Sequence, residues 1–242
     1  MKKILLATIL ASVSLGAPAE TIRFATEASY PPFEYVDADN KIQGFDIDLT
    51  NALCKEIKAE CTFTNQAFDS LIPSLKFRRF DAVIAGLDIT AEREKQISFT
   101  APYYDNSASF IIQKGKVADI AELKGKRIGV QNGTTHQKYL TEKLTDVTPV
   151  PYDSYQNAIL DLKNGRIDAV FGDTAVVHNW LQQNANLAAL GNKVTDKAFF
   201  GAGLGIAVRL GNTELQGQLN HALEKIKTDG TYDAVYKKWF QQ

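Results

Sequence analysis

An excess of positive charge, thiols and imidazoles are what this chain lacks. Its 242 residues carry 27 Lys and Arg against 28 Asp and Glu, and the two signs are interspersed. A nucleic-acid binder needs a basic face, so that class is not expected. Three histidines and two cysteines give no zinc-binding spacing, and no nucleophile-elbow motif occurs. Neither a metal nor a cofactor is expected, and the chain is read as a non-enzyme. Beyond the first residues no apolar run reaches the length of a bilayer span. Low-complexity tracts and polar linkers are missing too, which argues against independent modules on a string. The 45% hydrophobic content is ordinary for a globular protein.

What is present begins with an export signal. Lys2 and Lys3 form a positive n-region, Ile4–Leu15 an apolar h-region, and Ala17-Pro18-Ala19 a small-x-small cleavage site. Residues 1–19 are therefore expected to be a secretory signal peptide. The apolar run is short for a membrane anchor, and no cysteine at the cleavage site indicates a lipid anchor. The rest, roughly 220 residues, has room for one large domain or two of about 110. In an exported chain Cys54 and Cys61, at a helix end and a strand start, are expected to form a disulfide. A metal site there would need further ligands nearby.

The stretch Asp81–Arg93, DAVIAGLDITAER, organises the remainder. Its apolar opening suits a strand buried on both faces, ending at Gly86. Asp88, Thr90 and Arg93 then fall just beyond a strand's carboxyl end, where open α/β sheets bind ligands. Arg93 offers a planar fork suited to a carboxylate, and Asp88 suits an ammonium. The bland alternative makes Arg93 a solvated helix residue and Asp88 a turn residue. A second copy of the unit favours the ligand reading: LKFRRFDAVIAG at 75–86 is echoed by LKNGRIDAVFGD at 162–173. With Asp81 aligned on Asp168, Gly86 falls opposite Asp173. Two similar α/β lobes facing one cleft are the economical hypothesis.

Along the chain, a first strand over Thr21–Thr26 leads to Glu27, Tyr30 and the extended pair Pro31-Pro32. Phe45, Leu49, Leu53 and Ile57 predict an amphipathic helix over 44–58. A strand from Cys61 to Gln66 and a helix from Leu71 to Arg78 follow, with Phe68 in the loop between them, where core packing competes with a cleft role. Strands are expected at Ile97–Thr100, Ala108–Gln113 (a candidate crossing between lobes), Lys126–Gln131 and Ile167–Gly172. Thr134 and Thr135 open a helix after Gly133; one can be merely an N-cap or the start can be an anion seat made by free amides, and both roles can hold at once. Helices are expected over 155–164 and 173–183, and Asp173 is a good N-cap in its own right. Phe200–Arg209 reads as a second crossing strand, and helices over Thr213–Thr228 and Thr231–Phe240 finish the chain. The architecture is α/β and two-lobed, each lobe a mixed sheet flanked by helices. Lobe 1 is 20–108 with 204–242, and lobe 2 is 109–203.

GFDIDLTNALC, AFDSLIPSLKFRRFDAV, DITAER, QNGTTHQKY and GRIDAVFGDTAVV resemble the polar amino-acid class of periplasmic solute-binding proteins, most nearly arginine-binding members of bacterial ABC importers. The likeness runs over essentially the whole chain after the signal. It implies a periplasmic, soluble monomer that closes on L-arginine or a related cationic amino acid and delivers it to an inner-membrane ABC permease. Arg93 matches the carboxylate-binding arginine and Asp173 the ammonium-binding aspartate. Gly86 and Asp88 match contacts to the amino-acid backbone, although serine or threonine is common at the latter position. Thr134 and Thr135 match helix-start threonines, Tyr30 and Phe68 the aromatics that enclose the side chain, and Glu27 and Gln131 the specificity positions, with His136 nearby. Glu27, Asp88 and Asp173 against one Arg93 would leave the pocket acidic, which suits a cationic ligand. Two rivals stand beside this reading: a dehydratase-like enzyme on the same fold, and a sensory module, normally fused to membrane segments.

Overall fold

The computed structural model describes residues 20–241. The signal-peptide reading of 1–19 lies outside the described residues. β1 (Thr21–Thr26), β2 (Ser29–Tyr30), β3 (Glu34–Val36) and β4 (Ile42–Gln43) precede α1 (Phe45–Ile57). Then come β5 (Glu60–Asn65), α2 (Phe68–Lys76), β6 (Ala82–Val83), α3 (Ala91–Glu94) and β7 (Ile97–Phe99). The middle of the chain holds β8 (Ala108–Gln113), β9 (Arg127–Gln131), α4 (Thr135–Glu142), β10 (Thr148–Tyr152) and α5 (Tyr155–Lys163). β11 (Ala169–Asp173), α6 (Thr174–Gln183), β12 (Leu187–Val194) and α7 (Lys197–Phe200) lead to β13 (Ala207–Arg209), α8 (Thr213–Thr228) and α9 (Thr231–Phe240).

Two five-stranded sheets share one topology, β5-β1-β6-β13-β7 and β10-β9-β11-β8-β12. In each, the first three strands are parallel and the fourth joins antiparallel. The sequence repeat is the seam of this likeness. Asp81 donates its N–H to the Arg23 carbonyl and accepts the Arg23 N–H on its carboxylate at 3.1 Å. Asp168 makes the same exchange with Arg127, at 2.8 Å on the carboxylate. Each aspartate thus locks the register of the parallel pair that its strand is about to enter.

Strand alternation feeds cores on both faces of each sheet. In β1, Ile22 and Phe24 join the cluster with Leu49 and Leu53 of α1, while Ala25 joins Leu71 and Leu75 of α2. In β8, Phe110 and Ile112 pack with Phe171, and Ile111 faces the other way. Cys54 and Cys61 are bonded as expected, with Cα atoms 6.1 Å apart, tying the last turn of α1 to β5.

The chain passes between the sheets twice, over 100–107 and over 195–206, and the two passages bond to each other. Tyr103 N–H donates to the Leu204 carbonyl at 2.9 Å, and Leu204 N–H donates to the Tyr104 carbonyl at 2.8 Å. Gly203 allows the approach: its φ is +111°, and a Cβ there would lie 2.5 Å from the Tyr104 carbonyl oxygen.

Several expectations are corrected. β8 lies wholly inside the second sheet, and the crossing belongs to the residues before it. The long strand expected over 200–209 is only β13, because glycines and turns occupy 201–206. α2 starts at Phe68, which is its first residue and not a loop residue. β10 and β12 were not expected. The prolines of β10, TPVPY, disguise an edge strand, where missing N–H groups cost nothing to the ladder.

Candidate functional site

Loop starts at the carboxyl ends of β1, β6, β9 and β11 converge between the two sheets. Tyr30, Phe68, Gly86, Asp88, Gln131, Thr134, Thr135 and Asp173 line one cavity together with His136 and Tyr155. The side chains lie close, leaving about 10 Å³, roughly one water's worth. Glu27 and Arg93 stand directly behind this lining. Glu27 is buried and accepts the Ser29 hydroxyl, with Gln131 as a second donor. Arg93 is buried too, so it is no solvated helix residue. Its Nη1 donates to the Asp88 carbonyl at 3.0 Å and its Nη2 to the Gly133 carbonyl at 3.3 Å, which places it across both sheets' loops. The guanidinium carbon sits 5.7 Å from the Phe68 ring centroid.

The alternative structural duties now separate. Asp173 occupies the N-cap position of α6 but makes no side-chain cap bond. Its carboxylate instead accepts the Tyr30 hydroxyl at 2.9 Å and an Asn106 amide proton at 2.7 Å. Thr134 does cap α4, accepting from Gln137 N–H, and donates to the Gln131 carbonyl. Thr135 is free of that duty and donates to Asp88 Oδ2 at 2.6 Å. Tyr30 stacks on Tyr155 with ring centroids 5.2 Å apart, so one face of the Tyr30 ring is taken up within the protein. Asn106, which the sequence reading missed, donates to both Asp88 Oδ1 and Asp173 Oδ1 at 2.7 Å. It lies in the first crossing passage, in a stretch with no periodicity to mark it. Tyr155 was missed as well, since the first residue of an amphipathic helix looks like core.

Electrostatically the site is a set of buried carboxylates held against their charge. Burial, and then Asp173 nearby, push Asp88 up to about 6, with Arg93, His136 and the Thr135 hydroxyl pulling back. Burial also raises Glu27, with the hydrogen bonds of Ser29 and Gln131 opposing it. His136 Nε2 lies 3.1 Å from Asp173 Oδ1, yet neither ring nitrogen has an aligned hydrogen-bond partner. A cation placed among these groups would favour the ionised carboxylates and replace the neutral donors that now satisfy them. The carboxylates and Arg93 together can therefore seat a zwitterion with an additional positive end. Among the described residues no cluster of three or more potential metal ligands occurs.

A larger groove, about 910 Å³, opens elsewhere, between α6 and α9 along the first crossing passage. Tyr104, Tyr236 and Phe240 form one wall and His178, Asn179 and Gln182 the other. Asp105 and Lys193 are its acidic and basic lining residues, against two aspartates in the lining of the smaller cavity.

The model of the bacterial extracellular solute-binding proteins, family 3, matches residues 22–242. Over 100% of both chains, the protein is 69% identical to the provisionally assigned ABC transporter arginine-binding protein 2 of Escherichia coli (strain K12). It is 61% identical, again over 100% of both, to ABC transporter arginine-binding protein 1 of the same organism. Among solved structures it is similar to a Salmonella typhimurium periplasmic binding protein described for its high arginine specificity. That likeness has a TM-score of 0.89 at 54% identity and covers 92% of this chain and 100% of the other. With the two-sheet fold, the interlobe cavity and these matches in agreement, the chain belongs to the bacterial extracellular solute-binding proteins of family 3.

Proposed function

We propose that the protein captures L-arginine outside the cytoplasmic membrane and delivers it to an ABC permease, acting as a binder and not as an enzyme. The observation that carries this reading is the charge around the cavity: Asp88 and Asp173 line it and Glu27 and Arg93 stand behind it, three buried carboxylates and one buried guanidinium. Three carboxylates against one guanidinium leave an acidic excess, which a ligand with one carboxylate and two cationic groups reduces and an uncharged amino acid does not. The names of the similar Escherichia coli proteins support the same ligand and the same transport role.

In this reading Arg93 and the Thr134–Thr135 helix start take the α-carboxylate, and Asp173 with Asp88 and the Gly86 backbone takes the α-ammonium. Tyr30 and Phe68 flank the side chain, and Glu27 with Gln131 receives the guanidinium. Lobe 1 comprises 20–108 and 204–242 and lobe 2 comprises 109–203, moving about the two crossing passages as a monomer. Tyr30 with Asp173 and Thr135 with Asp88 now bond across the cavity. Ligand entry has to part those pairs, so capture is coupled to lobe motion. A thermal-shift screen of all the common amino acids on ligand-free protein tests the reading. L-Arginine should give the largest rise in melting temperature; a larger rise with an uncharged amino acid would refute it.

A further inference from the structure

Behind the cavity lies a buried acidic pair that one backbone amide joins to the lining of the ligand site. Asp46, in the first turn of α1, is fully buried. Its Oδ2 accepts the Gly86 N–H at 3.1 Å and the Tyr103 hydroxyl at 2.8 Å. Those two donors come from the elements that matter most to capture. Gly86, with φ +53°, starts the loop that carries Asp88 into the cavity. Tyr103 lies in the first crossing passage, and its own N–H donates to Leu204 of the second. One carboxylate oxygen therefore joins the ligand's seat to both passages on which the lobes turn.

The other side of the pair is Glu34 on β3, also fully buried, with no hydrogen-bond partner on either oxygen. Asp46 Oδ1 likewise has none. Burial and then the Asp46 carboxylate hold the Glu34 carboxyl well above the usual range. Asp46 itself is raised by burial to about 6, with the neighbouring Glu34 carboxyl, the Gly86 amide and the Tyr103 hydroxyl opposing the shift. The remaining charged groups acting on the pair are Glu27 and Asp173. Losing Asp46 would release the Gly86 amide and the Tyr103 hydroxyl together, leaving two buried donors unpaired.

We infer that Asp46 is a positioning residue for ligand capture, holding the Gly86 loop and the Tyr103 passage in one frame while the lobes move. The inference rests on the arginine reading above, and the experiment separates the two. L-Arginine is titrated calorimetrically into wild type, Asp46→Ala, Asp46→Asn, Tyr103→Phe and Leu53→Ala. Leu53, buried on the same helix two turns away, serves as the control for simple loss of stability. Absence of binding by wild type would overturn the arginine reading itself. With wild type binding, Asp46→Ala should bind about 10- to 100-fold more weakly. Asp46→Asn, which keeps an oxygen for Gly86, should recover to within about fivefold of wild type. Leu53→Ala should melt lower yet bind as wild type. The Gly86 amide proton resonance should move upfield in Asp46→Ala and remain in place in Leu53→Ala. Should Asp46→Ala fail to fold, Tyr103→Phe decides: about a three- to tenfold loss supports the role, and unchanged affinity overturns it. Wild-type affinity in a folded Asp46→Ala, or equal losses in Asp46→Ala and Leu53→Ala, would also overturn it.

Discussion

Replacing Glu27 by Gln isolates the charge that the proposed reading sets against the ligand's guanidinium. Glu27 is 6% exposed, and its partners are the neutral groups of Ser29 and Gln131, so among the described residues no cation forms an ion pair with it. Gln keeps the size and one acceptor oxygen but cannot offer a charged acceptor to a guanidinium. Loss of a hydrogen bond to a charged group costs about 1.5–3 kcal/mol, or about 10- to 150-fold in affinity. Citrulline, of the same shape but uncharged, should lose far less, so the arginine-to-citrulline ratio falls. The ligand-free protein should respond in the opposite sense. Burial raises the Glu27 carboxyl above its unfolded value, so ionisation costs stability as pH rises through the folded pKa. Glu27→Gln removes that cost, and ligand-free variant should melt at or above wild type at pH 8 while gaining less from arginine. Calorimetry with both ligands and a melt without ligand read both effects. Equal weakening of arginine and citrulline would refute the reasoning, as would an unaltered arginine affinity.

Other expectations follow from the same geometry. Arg93→Ala removes the buried guanidinium that the proposed reading sets against the α-carboxylate shared by all amino-acid ligands, and should weaken arginine by about 2–5 kcal/mol, read by calorimetry. Arginine affinity should fall as pH drops through about 6, where Asp88 takes up a proton, and calorimetry in buffers of different ionisation enthalpy should record proton release on binding at pH 6. The ligand-free fold should show the reverse trend. Its raised carboxyls Glu27, Glu34, Asp46 and Asp88 lend stability at low pH that is lost as pH rises through their folded values, so it should melt higher near pH 5.5 than at pH 8. Reducing Cys54–Cys61 opens only a small loop and should cost about 2–3 kcal/mol on the chain-entropy model, measured by urea unfolding with and without reductant.

The periodic elements and the duplicated unit were legible because each leaves a local mark. α8 and α9 have the expected limits, and the Asp81 and Asp168 turns lock their strands in the same way. The convergence of Tyr30, Asp88, Thr135 and Asp173 was legible through the strand-end rule and the family's motifs. What escaped was whatever depends on contacts distant in sequence. Asn106 reaches Asp88 and Asp173 only because two passages are knotted at Leu204, and nothing in YYDNSAS announces it. Asp46 looks like an N-terminal helix acid satisfied by the helix dipole. Its tie to Gly86 spans forty residues and appears only when α1 is laid against the first sheet. The prolines of β10 and the bulged β12 carry patterns opposed to their actual state.

A crystal structure of the protein grown with L-arginine tests the central claim most directly. The account predicts one arginine between the sheets, its carboxylate on Arg93 and the start of α4, its ammonium at Asp173, and its guanidinium between Tyr30 and Phe68 at Glu27. Arginine bound only in the aromatic groove between α6 and α9, or seated in the cavity with its guanidinium turned away from Glu27, would contradict it.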